Sequence, residues 1–224
     1  MESIWWHIFD ILGTAAFAYS GALVAVSRRM DIFGVFMLSA ATAVGGGIVR
    51  DMLLGNVPPV AFRTSLYGGI IIAAMAGAMV TVWNIRAKRR FSRMMAALFW
   101  LYTICDAVGL GAFSVTGTLL GCHYYPQYGL FAVMLGVWTA IGGGIIRDVF
   151  AAKIPFVFRK EVYATASVLG CVVLTGCFYT SFLSLPPASV LACTVTIAVR
   201  LLAVKRHWNL PLIHRKRHRP YFFR

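Results

Sequence analysis

One seven-residue pattern, Gly-Gly-Gly-Ile-x-Arg-Asp, stands twice in this chain. It runs as Gly45, Gly46 and Gly47 ahead of Arg50-Asp51, and as Gly142, Gly143 and Gly144 ahead of Arg147-Asp148. A glycine inside a helix costs about 1 kcal/mol relative to alanine, so three together favour a kink or a break. In hydrocarbon, backbone freed by a break must meet water, an ion or another polar group. Exposed carbonyls would suit a partly dehydrated cation, and the two helix ends created by a break would suit a zwitterion. The plainer use of such glycines is close helix packing through small residues. Two matched triplets, each about one turn before an Arg-Asp pair, favour the break.

The charged pairs raise a second question of chemistry. Ionised groups in or near hydrocarbon are costly and face a bundle interior or water. Adjacent residues point about 100° apart on a helix, so Arg50 and Arg147 are expected to pair with another helix rather than with Asp51 and Asp148 beside them. Asp10 and Asp106 are the candidate partners. The alternative is that both arginines extend to the membrane surface. Ser20, Thr42, Thr116 and Thr139 place hydroxyls at related positions in the two halves of the chain. They either line a polar path or bond the carbonyl one turn back.

Other chemistries fail on inventory. The sequence has no GxSxG, HExxH or Walker pattern, and His7, His123, His207, His214 and His218 fall at the ends of apolar spans or in the tail. Cys105, Cys122, Cys171, Cys177 and Cys193 are scattered without a CxxC pair and read as small apolar packing residues. Neither an enzyme nor a bound cofactor or fixed metal is expected.

The elements that carry these residues are membrane spans. The 224 residues are 60% hydrophobic and only 12% charged, about half the charge of an ordinary soluble domain. Apolar stretches of about 20 residues recur along the whole length, which excludes a lone signal peptide. The expected spans are Ile4 to Val26, Ile32 to Leu54, Leu66 to Ile85, Met95 to Leu120, Tyr128 to Ala152, Val162 to Phe182 and Pro187 to Val204. The net charge of +14 lies in short clusters between spans and in the tail, so it reads as a topology signal and as anchors for acidic lipid head groups, not as a nucleic-acid surface.

Asp10-Ile-Leu-Gly13, Phe17 and Ser20-Gly21 recur ninety-six positions later as Asp106-Ala-Val-Gly109, Phe113 and Thr116-Gly117. After a one-residue slip, Thr42 to Asp51 recurs as Thr139 to Asp148. Each copy has three spans, an odd number, so the second enters the membrane from the opposite side. The fold class is therefore all-α integral membrane: two inverted three-helix repeats, residues 1–93 and 94–184, plus a seventh helix, 185–204, and a basic tail, 205–224. With seven spans, Arg28, Arg29, the cluster Arg86 to Arg93, Lys153, Arg159, Lys160 and the tail share one side, while Arg63 lies opposite. The N-terminus is then outside and the C-terminus cytoplasmic.

The doubled glycine motif, with Asn56-Val-Pro58 and Lys153-Ile-Pro155 behind it, resembles the bacterial members of the trimeric intracellular cation channel (TRIC) family over roughly residues 8 to 204. Lys160-Glu161-Val162 is similar to a Lys-Glu-Val motif of the animal members. The resemblance implies a homotrimer in the bacterial inner membrane. Each subunit would conduct K⁺ or Na⁺ between glycine-kinked second and fifth helices, with no other cofactor. The same bacterial domain family is associated with glycine transport, which is the alternative activity.

Overall fold

The computed structural model describes residues 4–88, 91–159 and 162–208. Lys160, Arg89, Arg90 and the end of the basic tail lie outside the described residues. Everything described is helix, turn or short connection. The helices are α1 (Ile4–Ser27), α2 (Ile32–Leu53), α3 (Leu66–Lys88), α4 (Phe91–Tyr124), α5 (Gly129–Phe150), a single turn α6 (Phe156–Arg159), α7 (Ala164–Thr180) and α8 (Leu185–Lys205). Six of them are long and apolar enough to cross a membrane, and α7 is a shorter apolar helix of 17 residues, about 26 Å. The chain is therefore a polytopic membrane protein with seven spans.

Local sequence explains the boundaries. Asp31 caps α2 by accepting the Gly34 amide at 2.7 Å. Pro186 and Pro187 open α8, where a missing amide proton costs nothing. The repeat-related helices α2 and α5 end alike. The amides of Gly55 and Asn56 bond back to Met52 and Asp51, and those of Ala152 and Lys153 to Val149 and Asp148. Both turns need a left-handed residue, which is Gly55 (φ 69°) in one and Ala152 (φ 52°) in the other. Two expected spans are corrected. The fourth extends at both ends to 34 residues, because nothing between Phe91 and Tyr124 breaks the helix. The sixth is shorter than expected and begins after the separate turn α6.

The two repeats meet head to tail. Trp6 at the start of α1 donates to the Thr116 carbonyl near the end of α4, at 3.2 Å. Gly13 lies against Phe113, and Gly109 against Phe17. These pairings define antiparallel helices crossing at Phe17 and Phe113, whose rings meet edge to face with centroids 5.2 Å apart. Helices α2 and α5 cross antiparallel beside them, α3 packs on α1, and α7 packs on both α4 and α5. Helix α8 has no counterpart and lies against α4 and α7.

Residue placement is that of a protein in lipid. Leu130 is 79% exposed while Arg147 is fully buried. At one membrane surface, Lys153 sits close enough to Arg28 for partial burial and that neighbouring charge to lower its pKa from the ordinary lysine value. The connection after α1 and the one after α5 therefore share a side, as inverted repeats require.

Candidate functional site

The glycine triplets bring α2 and α5 together backbone to backbone. A Cβ on Gly46 would stand 2.0 Å from the Thr139 carbonyl oxygen, and one on Gly143 would stand 2.2 Å from that of Thr42. A Cβ on Gly45 would overlap Ile146 at 2.5 Å, and one on Gly142 would face the Gly46 Cα at 3.1 Å. Gly144 accommodates the Tyr163 hydroxyl, whereas Gly47 has only ordinary contact with Arg50. The expected break is corrected by this arrangement: both helices run unbroken through their triplets. Absent side chains allow an approach whose packing energy offsets the weak helix preference of glycine.

About one turn further on, each triplet is followed by a buried ionic cluster. Arg50 donates through Nη1 to Asp10 Oδ1 at 3.1 Å and through Nε to Asp51 Oδ1 at 2.9 Å. The remaining oxygens are also occupied: Tyr67 donates to Asp10 Oδ2 at 2.6 Å, and the Val60 amide to Asp51 Oδ2 at 2.8 Å. The second copy repeats the ion pairs but not the tyrosine bond, and Asp106 Oδ2 and Arg147 Nη2 have no hydrogen-bond partner. Arg147 reaches Asp106 at 2.5 Å and Asp148 at 3.0 Å, and the Phe156 amide donates to Asp148 at 3.0 Å. Arg50 lies 5.0 Å over the Trp6 ring, and Arg147 the same distance over Tyr102. Each charge is thus paired with an opposite charge and makes at least one hydrogen bond, which lets the ions persist in a dry interior.

Asp10 and Asp106 are the partners expected from the sequence. Two readings of the arginines are corrected. They do not extend to the membrane surface, since Arg50 and Arg147 are 2% and 0% exposed. Each also pairs with its own neighbouring aspartate. Asp51 and Asp148 are fixed by amides beyond the helix end, which aims one oxygen back at the arginine Nε.

The hydroxyls divide. Thr42 and Thr139 bond the carbonyls of Leu38 and Leu135 one turn back, both at 2.6 Å, and Thr116 bonds Phe113 at 3.3 Å. Ser20 crosses between repeats, accepting from Arg147 Nη1 at 3.2 Å while donating to Phe17. A cavity of about 10 Å³ beside Asp10, Thr14, Gly47, Arg50 and Tyr67 is the size of a single water. The α2–α5 crossing is closed in this structure.

Trp6, Tyr67, Tyr102 and Tyr163 belong to the site and were not singled out by charge or glycine content. A signal was present, because Trp6 and Tyr102, and likewise Tyr67 and Tyr163, stand at the ninety-six-residue offset of Asp10 and Asp106.

The family model described as glycine transporter matches two segments, residues 7–85 and 103–179. Inner membrane protein YadS of Escherichia coli is 40% identical over 209 residues, covering 93% of this chain and 95% of that protein. The membrane protein YvgT of Bacillus subtilis is 32% identical, with 92% and 95% covered. Among solved structures, the TRIC orthologue from Rhodobacter sphaeroides superimposes with a TM-score of 0.77 at 30% identity, covering 91% of this chain and 98% of that one. A structure described for conductance through TRIC cation channels gives 0.75 at 33% identity, with 96% and 98% covered.

Proposed function

This chain belongs to the bacterial TRIC and glycine transporter family, and from that premise we propose that it is a monovalent cation channel, chiefly for K⁺, with a path inside each subunit. The observation carrying this reading is the likeness to solved cation channels over almost the whole chain. The crossing of α2 and α5 is where the path would open. There the helices touch through the backbone alone at Gly46 and Gly143, so a small separation would uncover the carbonyls of Thr42 and Thr139 to a cation. The ionic clusters hold the ends of the same two helices in place, which keeps the separation local.

Three copies would assemble in the bacterial inner membrane, each with its own path, and the basic loops would meet acidic head groups on the cytoplasmic face. Support for the trimer is that the Rhodobacter sphaeroides relative is described as trimeric. The name of the family model favours a second reading, in which the same crossing carries glycine by alternating access. Purified protein in liposomes separates them. Non-saturating K⁺ current without labelled-glycine uptake is expected, and saturable glycine uptake without current would establish the carrier instead.

A further inference from the structure

The two repeats differ along one seam. Ser114, Thr118 and Cys122 succeed one another every fourth residue on α4, and Ser167, Cys171 and Thr175 do so on α7. Helices place such residues on one face, and the two faces meet. The Ser114 and Ser167 hydroxyls are 2.7 Å apart, and the Cys171 thiol lies 3.7 Å from the Ser114 carbonyl. Gly136 of α5 forms the floor, where a Cβ would stand 2.1 Å from Thr118 Oγ1 and 2.7 Å from Cys171 Sγ. Ninety-six positions earlier the corresponding residues are Ala18, Ala22 and Val26 on α1, and Ile71, Met75 and Met79 on α3. The first repeat thus has an apolar seam where the second has hydroxyls and thiols.

Packing alone does not account for this. Thr118 and Thr175 are both buried, and neither hydroxyl completes a hydrogen bond of ordinary geometry: the neighbours that reach them are the Cys171 and Cys122 thiols, which are weak partners. A buried hydroxyl left with only a thiol beside it gives up better hydrogen bonds to water. Valine would fill either site without that cost. From Ser114 to Cys122 the seam runs about 12 Å along α4 at 1.5 Å per residue, starting one residue from the central Phe113 and ending at the membrane side where α4 terminates. Gly117 of α4, between Ser114 and Thr118, faces the Thr139 hydroxyl of α5, and the carbonyl of Thr139 meets Gly46, so the inner end of the seam is close to the α2–α5 crossing.

We propose that the α4–α7 seam is a one-sided half-path: it fills with water in the conducting state and leads the partly hydrated monovalent cation to the crossing at Gly143. The inference rests on the channel reading and adds to it an asymmetry. The half of the route through the second repeat is lined by neutral hydroxyls and thiols, whereas the corresponding positions of the first repeat are apolar, its α1–α3 hydroxyl contact lying elsewhere, between Tyr19 and Thr81. Neutral oxygens suit an ion that must move on, since they replace part of its hydration without holding it as a carboxylate would.

The seam contains its own probes. In full-length protein with Cys105, Cys177 and Cys193 replaced by alanine, Cys122 and Cys171 remain. Liposomes passing K⁺ would be treated with a small water-soluble methanethiosulfonate, with labelling read by intact mass and flux recorded in parallel. Both thiols should be labelled, flux should fall as labelling proceeds, and raised K⁺ should slow the reaction. Thr118→Val with Thr175→Val should lower flux several-fold in normally assembled protein, while Ala22→Ser in the first repeat should leave it unchanged. Unlabelled thiols during sustained K⁺ flux would overturn the half-path and leave the channel intact. Labelling without any K⁺ flux would retain a wet seam and remove the channel reading.

Discussion

Arg147 shows at the residue scale how a charge survives in the middle of this bundle. It is fully buried, yet two aspartates and Ser20 accept from it and the Tyr102 ring lies beneath its guanidinium. Arg147→Met should therefore cost about 3–5 kcal/mol, because Asp106 and Asp148 are left buried without their counter-charge. Adding Asp106→Leu should recover part of the loss. Thermal unfolding in mild detergent reads both, and strictly additive losses would show that the pair is not coupled. The two tyrosines offer a sharper comparison. Tyr67→Phe removes a hydrogen bond to a carboxylate and should cost about 1.5–3 kcal/mol. The Tyr163 hydroxyl has no partner, so Tyr163→Phe should be close to neutral in the same assay. Equal losses would mean that Tyr163 reaches Asp106 as Tyr67 reaches Asp10.

Among elements, α2 and α5 use the same devices with different success. Ala152 occupies the left-handed position that Gly55 occupies in the other repeat. Its Cβ crowds the following carbonyl, so Ala152→Gly should stabilise the protein by about 1 kcal/mol and raise the unfolding midpoint. The triplets behave in the opposite sense. Alanine at Gly46 or Gly143 would place a methyl group against a backbone oxygen that cannot rotate away, so α2 and α5 must move apart. Each substitution should lower stability by about 1–3 kcal/mol. Alanine at Gly47 meets only ordinary contacts and should be tolerated or slightly stabilising. If Gly46→Ala and Gly47→Ala unfold at the same temperature, the close crossing is absent in the membrane.

On the scale of the whole molecule, the inverted repeats give two equivalent halves, and α8 breaks that equivalence. Its Arg200 lies 4.8 Å over the ring of Tyr163, a contact without a counterpart in the first repeat. Seven spans with the positive loops inside place the termini on opposite faces. Reporter tags at the two ends should therefore give opposite compartments, and a shared compartment would remove the seven-span arrangement. Mass measurement in mild detergent should find three copies, while a clean monomer or dimer would count against the trimer.

Composition and periodicity were enough for the membrane class, the seven spans and the repeat, because each depends on where apolar residues fall along the chain. Asp10 and Asp106 were legible as partners of Arg50 and Arg147 for a related reason: within each repeat the aspartate and the arginine fall at the same membrane depth. The sequence could not decide what the glycines do, because glycine serves a broken helix and a close crossing equally well. Only the position of the Thr42 and Thr139 carbonyls on the opposing helix selects the crossing. Nor could spacing show that Asp51 and Asp148 turn back to their own arginines. Amides from residues beyond the helix end, at Val60 and Phe156, hold those carboxylates in place, and tertiary structure alone brings them there.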